Sequence, residues 1–583
     1  MFQQILDPIG GSLLLSALCA ALPLVLLFVL LGVFRVKAPK AAIASLAVSL
    51  ILAIVGWQMP LAQALNATAA GFFYGLFPIL WILVNALWIY KLTVATPWFE
   101  ALGRTIRSIS DDLRILSILI AFCFGALLES LAGFGAPVAI SAAMLMAAGM
   151  KPLKSAVVSL LANTAPVAFG AMAAPIIALN GVTGLPLHDL SSMAGRQTPF
   201  VALIVPLLLV FIVDGRRGVK QAWPVALVAG TAFAVSQFVT SNYLAVELTD
   251  VVAAVVTVAA VLVMLRFWKP NETIGMAGGV ESGAEKAVPA NAGQGAVAAR
   301  AGTTAVSRTS GAAASGPAAA GNASDGSTAP TDNTRPEPRH IWMAIAPYLI
   351  IITVFSIAQI PAVKSWLNQV GTVAFHWPGL DISDSAGKPV AATKFKLDHL
   401  KATGTLLLFS GLITMALYRI TAGQGWRIYR ETLVQLRWTI VTVTSVLGLS
   451  FVMNLSGQTT TLGFALASAG SFFAVLSPLI GWIGVALTGS DTSSNSLFGQ
   501  MQATAAQQTG LSPVLMAASN SSAGVMGKML SLQNLAVASA AVGLDGSEGT
   551  LFRKLIGWSV GLLALITVLI LLQSTPVLGW MVP

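Results

Sequence analysis

Along this chain, long apolar runs alternate with short polar joints. If about 20 apolar residues cross a bilayer, runs near 13–34, 41–57, 68–90, 113–149, 153–180, 198–213, 222–240 and 250–268 form one series. Runs near 341–361, 402–420, 438–488, 513–541 and 555–573 form a second. Two regions, 113–149 and 438–488, are too long for one crossing and have polar, glycine-rich centres, so each must hold a hairpin or several passes. The pattern predicts an all-α polytopic membrane protein, with a dozen or more transmembrane helices in two weakly repeated halves containing interrupted helices or hairpins. Segments 93–112 and 421–435 mix Trp, Phe, Ile and Leu with Arg and Glu, which predicts helices lying in the membrane interface. Trp57, Trp223, Trp268, Trp342 and Trp438 stand at span edges, where an indole suits the headgroup level.

Composition excludes the soluble classes. Only 9% of the residues are charged, against about 25% in soluble domains, and the mean hydropathy of +0.82 is spread over nearly the whole length. The net charge of +10 does not indicate nucleic acid, because the cations sit in short clusters between apolar runs. The clusters Arg35–Lys40, Arg216–Lys220, Arg266–Lys269 and Arg419–Arg437 fit cytoplasmic turns, which puts the N-terminus outside. The run Leu13–Phe34 is too long for a signal-peptide core and is expected to be a retained first span. Residues 271–340, rich in Ala, Gly, Ser and Thr, cannot bury a core and are expected to be a disordered cytoplasmic linker. The organisation is then an N-terminal membrane half (1–270), the linker, and a C-terminal membrane half (341–583). Cys19 and Cys123 lie in apolar stretches and offer neither a disulfide framework nor a metal site. No HExxH or phosphate-binding loop is present, so no cofactor, metal or catalytic residue is expected, and an ATP-driven pump or an enzyme is disfavoured.

The polar residues inside the apolar runs carry the candidate chemistry. Glu129 lies mid-run in Glu-Ser-Leu-Ala-Gly-Phe-Gly-Ala-Pro. A carboxylate at that depth is costly unless neutral or paired, which makes Glu129 a candidate proton carrier; the alternatives are a structural acid, protonated or paired with Arg, or simply a loop at the surface. Gly133, Gly135 and Pro137 should break the helix beside it and free backbone groups near Ser130. Asn163-Thr164-Ala-Pro166 interrupts another span, either as a plain proline kink or as a substrate site. In Gly489-Ser490-Asp491-Thr492-Ser493-Ser494-Asn495, the glycine can end one half-helix and Ser490, Asp491 or Thr492 cap the next, giving a helix N-terminus suited to a carboxylate. The competing reading is an ordinary extramembrane turn. Asp491 is the second proton-coupling candidate. Asn520, Ser521 and Ser522 can hydrogen-bond a hydroxy acid, and Lys528 can neutralise its carboxylate, pair with Asp491, or snorkel. Gly71-Phe-Phe-Tyr-Gly75 is most simply a helix-packing motif. A weak internal repeat matches Glu129–Gly133 with Met453–Gly457 and Thr183-Gly-Leu with Thr509-Gly-Leu, as in transporters that bind substrate between repeats.

At these residues the sequence resembles the lactate permease family of bacterial transporters. The matching strings are ESLAGFGAPVAI from Glu129, NTAPVAFG from Asn163, GSDTSSNSLFG from Gly489 and ASNSSAGVMGKMLSLQNLAVA from Ala518. The likeness covers both membrane halves, and the linker resembles an enlarged version of the family's central loop. More distantly, the chain is similar to the ion transporter superfamily, whose members use paired hairpins and interrupted helices. The resemblance implies symport of L-lactate with protons across the cytoplasmic (inner) membrane, with D-lactate and glycolate also accepted. The competing readings are a carrier for another small carboxylate and an uncoupled small-anion channel; the channel would need a continuous polar lining rather than an occluded midplane site.

Overall fold

The computed structural model describes residues 2–133, 135–274, 338–390, 393–544 and 546–583. The linker expected over 271–340 therefore lies almost wholly outside the described residues. The described chain on either side of it gathers into one compact unit.

Burial departs from that of a water-soluble fold: large apolar side chains are exposed, and many polar ones share the interior with apolar residues. In the first helix, Leu13–Phe28, Leu14, Leu18 and Val25 are exposed while Ser16 is buried. Farther along, Val55 and Phe267 are exposed, whereas Asn85, Asn495, Asn520 and Gln502 are fully buried. Leucine gains nothing by leaving a hydrocarbon solvent, so polar and small residues turn inward and hold the helices together. Gly71 shows how close the helices come: a Cβ there would sit 2.6 Å from the Leu447 carbonyl oxygen, so this glycine does act in packing.

Among the described residues, ten helical stretches are long and apolar enough to cross a membrane, with an eleventh if a bent pair counts as one span. One of the ten, Leu187–Tyr243, runs for 57 residues, about 85 Å if straight, far more than a bilayer's core of about 30 Å. It folds back at Gly215 (φ 64°, ψ −150°), and Thr198 Oγ1 on one arm donates to Gln237 Oε1 on the other at 3.0 Å. The protein is a multi-pass membrane protein.

The two ends of the spans differ. At one end Arg114 is clamped by Asp112, Asp214 Oδ2 (3.2 Å), Gln221 Oε1 (2.7 Å) and the Glu272 carbonyl (2.5 Å), with Arg217 paired to Glu272 beside it. At the other end a hairpin pairs Val373–His376 with Lys394–Leu397 antiparallel, and Phe2–Gln3 pairs with Ile382–Ser383 in parallel. Helix Thr249–Phe267 joins the two ends in 19 residues, about 28 Å.

Two sequence expectations need correction. Segment 421–435 is not a separate interfacial helix; it forms the first turns of Ala422–Ser456, which starts at a Thr421/Gln424 capping box and runs for 35 residues. With no glycine or proline between Trp426 and Leu447, nothing stops the helix where the amphipathic pattern ends. Trp57 does not face the surroundings as a headgroup anchor would: it is fully buried inside the protein, packed against Gly457, while Trp223, Trp342 and Trp438 are exposed. By contrast, segment 93–112 does contain a short separate helix, Pro97–Arg107.

Candidate functional site

Three helix breaks build the site. Helix Gly125–Ala132 carries Glu129 and ends at Gly133 (φ 38°); Gly135 (φ 86°) then starts helix Ala136–Ala147. Both angles lie where a side chain is strained. The second break follows Pro152–Ala162: Asn163–Pro166 leave the helix, and the chain resumes at a 63° bend. Ala171, Met172 and Ala173 then make a left-handed turn, with φ of 45°, 54° and 60°. Such a turn in non-glycine residues costs roughly 1–2 kcal/mol per residue; backbone strain of this kind persists where the surroundings over-determine it, often at functional sites. The third break is Gly489 (φ 74°), which ends Phe473–Thr488, followed by Ser490, whose hydroxyl accepts from the Ser493 amide at 3.2 Å and caps Asp491–Thr509.

A buried ion pair joins the helix before the first break to the end of helix Pro513–Lys528. Lys528 Nζ donates to Glu129 Oε1 at 2.5 Å, and Asn163 Nδ2 donates to Glu129 Oε2 at 2.9 Å. Glu129 is 2% exposed and Lys528 6%. Of the sequence alternatives for Lys528, neither the Asp491 pair nor the snorkelling lysine is what the structure contains, and the partner of Glu129 is a lysine rather than an arginine. Gly170 makes room for this geometry, since a Cβ there would lie 2.9 Å from Glu129 Oε1.

Asp491 is 3% exposed and has no cation in contact among the described residues. Its Oδ2 accepts from Ser521 Oγ at 2.5 Å and from Asn495 Nδ2 at 3.5 Å, while Oδ1 has no hydrogen-bond partner. Asn495 Nδ2 also donates to the Pro175 carbonyl (3.1 Å), which ties this helix to the segment after the second break. Asn520 Nδ2 donates to Asn495 Oδ1 (2.8 Å) and Ser494 Oγ (3.3 Å), and Gln502 Nε2 donates to Asn520 Oδ1 (2.5 Å). Ser521, Gly524 and Lys528 fall at i, i+3 and i+7 of helix Pro513–Lys528, hence on one face. A Cβ at Gly524 would lie 2.9 Å from Asp491 Oδ1, so the open carboxylate oxygen sits over this glycine, one turn from Lys528. Ser522 Oγ and Thr164 Oγ1 are also buried without a partner.

Other candidates have structural duties. Ser130 Oγ donates to the Leu127 carbonyl at 2.8 Å within its own helix. Thr492 and Ser493 lie in the first turn of the capped helix, and Gly135 approaches Asn534, whose amide holds the Lys528 carbonyl at 3.0 Å.

Sequence reasoning missed Asp250. It is fully buried, accepts from Gln237 Nε2 at 3.2 Å through Oδ1, and has no partner on Oδ2 among the described residues. Gln237 Nε2 also reaches the Ala165 carbonyl at 3.3 Å, inside the second break, and Asp250 lies within electrostatic reach of Glu129 and Lys528. The available signal was a carboxylate in the first turn of a span, easily mistaken for a helix-end residue in headgroups.

The glycines of the sequence repeat stand at helix ends. Gly133 and Gly457 both end helices at positive φ, and Gly184 and Gly510 both close helices in the left-handed conformation, each after a threonine whose hydroxyl donates four residues back.

A family model described as L-lactate permease matches residues 16–306 and 316–577. An L-lactate permease of Bacillus subtilis is 41% identical over all of both chains. Glycolate permease GlcA of Escherichia coli is 40% identical over all of this chain and 99% of its own. The solved structure of the Alcanivorax borkumensis YdaH transporter aligns with 88% of this chain and 86% of its own at 13% identity and a TM-score of 0.40, a likeness too loose to build on. Matched end to end at this level of identity, the chain belongs to the L-lactate permease family.

Proposed function

We propose that the protein is a proton-coupled carrier of small hydroxy monocarboxylates, taking up L-lactate, and also D-lactate and glycolate, across the bacterial cytoplasmic membrane. The buried Glu129–Lys528 pair carries this reading. A lactate carboxylate and the Glu129 carboxylate compete for one ammonium. When lactate takes Lys528, Glu129 loses its cation inside a low-dielectric site and becomes the base that must accept a proton. Binding of the anion and protonation of the acid are then one event, and empty and loaded sites carry the same net charge.

The α-hydroxyl has a receptor one turn away. Asp491 Oδ1, open over Gly524, accepts it. Buried polar atoms are nearly always paired, so open ones beside the ion pair suit a polar ligand. Asp491 remains the second group able to hold a proton. The interrupted helices supply the free backbone groups and the hinge-like joints that a midplane site needs. The test is uptake of labelled L-lactate into proteoliposomes under an imposed pH gradient. Accumulation that collapses with the gradient is the expected result; equal uptake with and without a gradient refutes proton coupling.

A further inference from the structure

At the hairpin end of the molecule lies a cavity of about 670 Å³ that the pair and its proton do not explain. One wall is the segment after the second helix break, through Ile177, Asn180 and Gly181; the opposite wall is strand Lys394–Leu397. Four lysines line it, Lys364, Lys394, Lys396 and Lys401, against two acids, Glu247 and Asp398. Both acids are partly satisfied locally, Glu247 by Thr403 Oγ1 (3.3 Å) and Asp398 by Thr372 Oγ1 (2.7 Å). Lys401 lies 3.5 Å from Asp398, while Lys394 and Lys396 form no ion pair among the described residues. Strand alternation leaves these two lysines exposed and buries Phe395 between them.

This placement runs against topology. The cavity opens at the start of helix Thr249–Phe267, opposite the end that holds Arg114 and Arg217, and the positive-inside rule makes that arginine end cytoplasmic. Lysines gathered at the other end need a different reason. The cavity floor supplies one: Tyr74 donates to the Ile177 carbonyl at 3.1 Å, two residues past the Pro175 carbonyl that holds Asn495. The cavity thus ends one aromatic side chain from the polar network around Asp491.

We infer that this cavity is an external antechamber that concentrates small carboxylate anions above the Tyr74 floor before they enter the central site. That the anion is lactate rests on the proposed function; the excess of positive charge does not. A cleft of one sign with low-dielectric walls raises the local concentration of the opposite ion, roughly 10-fold or more at low salt, and loses this as salt screens it.

The experiment reads the potential without transport. In protein whose Cys19 and Cys123 are replaced, reconstituted in neutral lipid, Ala358→Cys places a thiol in the cavity wall. Its reaction with an anionic methanethiosulfonate should exceed that with a cationic one by several-fold, each rate normalised to a free thiol. The ratio should fall toward unity in high salt and invert in Lys394→Glu/Lys396→Glu. Lys388→Glu, on the same hairpin but outside the cavity, should leave it in place. For lactate uptake, the double reversal should raise KM roughly 10-fold at low salt, with Vmax within about twofold. A normalised ratio at or below unity in the parent protein overturns the antechamber. Absence of lactate uptake alongside a high ratio would instead refute the proposed substrate and leave the antechamber standing.

Discussion

Replacing Glu129 with Gln tests the competition for Lys528 most directly. At 2.5 Å and an effective dielectric constant of about 20, the gross attraction is about 7 kcal/mol. Each ion gave up several kcal/mol of hydration to be buried, so the net value of the pair is small, but losing one partner strands the other at a cost of about 3–5 kcal/mol. Glu129→Gln and Lys528→Met should therefore each lower stability markedly, while the double replacement recovers most of the loss, a coupling of at least about 3 kcal/mol. Thermal unfolding of the purified variants gives the ranking. The functional consequence has the opposite sign. With Glu129 neutral, lactate no longer displaces a carboxylate, so binding should tighten by roughly 10-fold or more, and counterflow of lactate for lactate should persist while gradient-driven accumulation is lost. Lys528→Met removes a charge-assisted contact worth about 1.5–3 kcal/mol and should weaken binding roughly 10- to 100-fold. If the two single effects on stability simply add, or if Glu129→Gln weakens lactate binding, the competition does not exist.

Gly170→Ala puts a methyl group 2.9 Å from Glu129 Oε1 and should displace the carboxylate from Lys528, reducing proton-driven uptake at least 10-fold; wild-type uptake in this variant would refute the tight approach. Deleting residues 280–325, whose composition cannot offset the entropy of ordering them, should leave transport intact, as uptake by the membrane-inserted variant would show. One proton entering with one monocarboxylate moves no net charge, so a potassium–valinomycin potential without a pH gradient should fail to concentrate lactate, although 100 mV is worth about 2.3 kcal/mol per charge to an electrogenic carrier. Sustained accumulation there would show that a second proton enters.

The parts of this molecule legible in the sequence are those with a local cause. Gly489 and Ser490 announce a helix end and a cap because conformational freedom and a short hydroxyl do the same work wherever they stand. Glu129 stands out because hydrocarbon makes a lone carboxylate expensive on either side of its span. What was not legible is pairing: Lys528 and Glu129 are 399 positions apart, and nothing local says that two helices in different halves bring these charges together. Asp250 was hidden by position, since a carboxylate in the first turn of a span is favourable with the helix dipole and so looks ordinary. Its partner Gln237 lies in the arm that folds back after Gly215, a tertiary fact. The interfacial reading of 421–435 failed for a related reason: amphipathicity reports which face meets water, not where a helix stops.

On the proposed competition, the pair that would admit lactate would also limit leakage. Consider the two half-loaded states. Lactate bound without a proton leaves Glu129 ionised and without a cation, because Lys528 is occupied and Asn163 supplies only a neutral amide. A proton bound without lactate leaves Lys528 as a buried ammonium with no ionised carboxylate in contact among the described residues. Each state costs about 3–5 kcal/mol relative to the empty or doubly loaded site, and at 1.4 kcal/mol per factor of ten that suppresses it by roughly two to three and a half orders of magnitude. If helix movement about the breaks is confined to sites that leave no stranded charge, neither the anion nor the proton crosses alone at an appreciable rate. Asp491 and Asp250, buried without a cation in contact, do not upset this balance so long as they hold one protonation state through the cycle. The coupling is then a property of one lysine shared between two carboxylates, and its tightness depends on how dry the surroundings of Glu129 are kept.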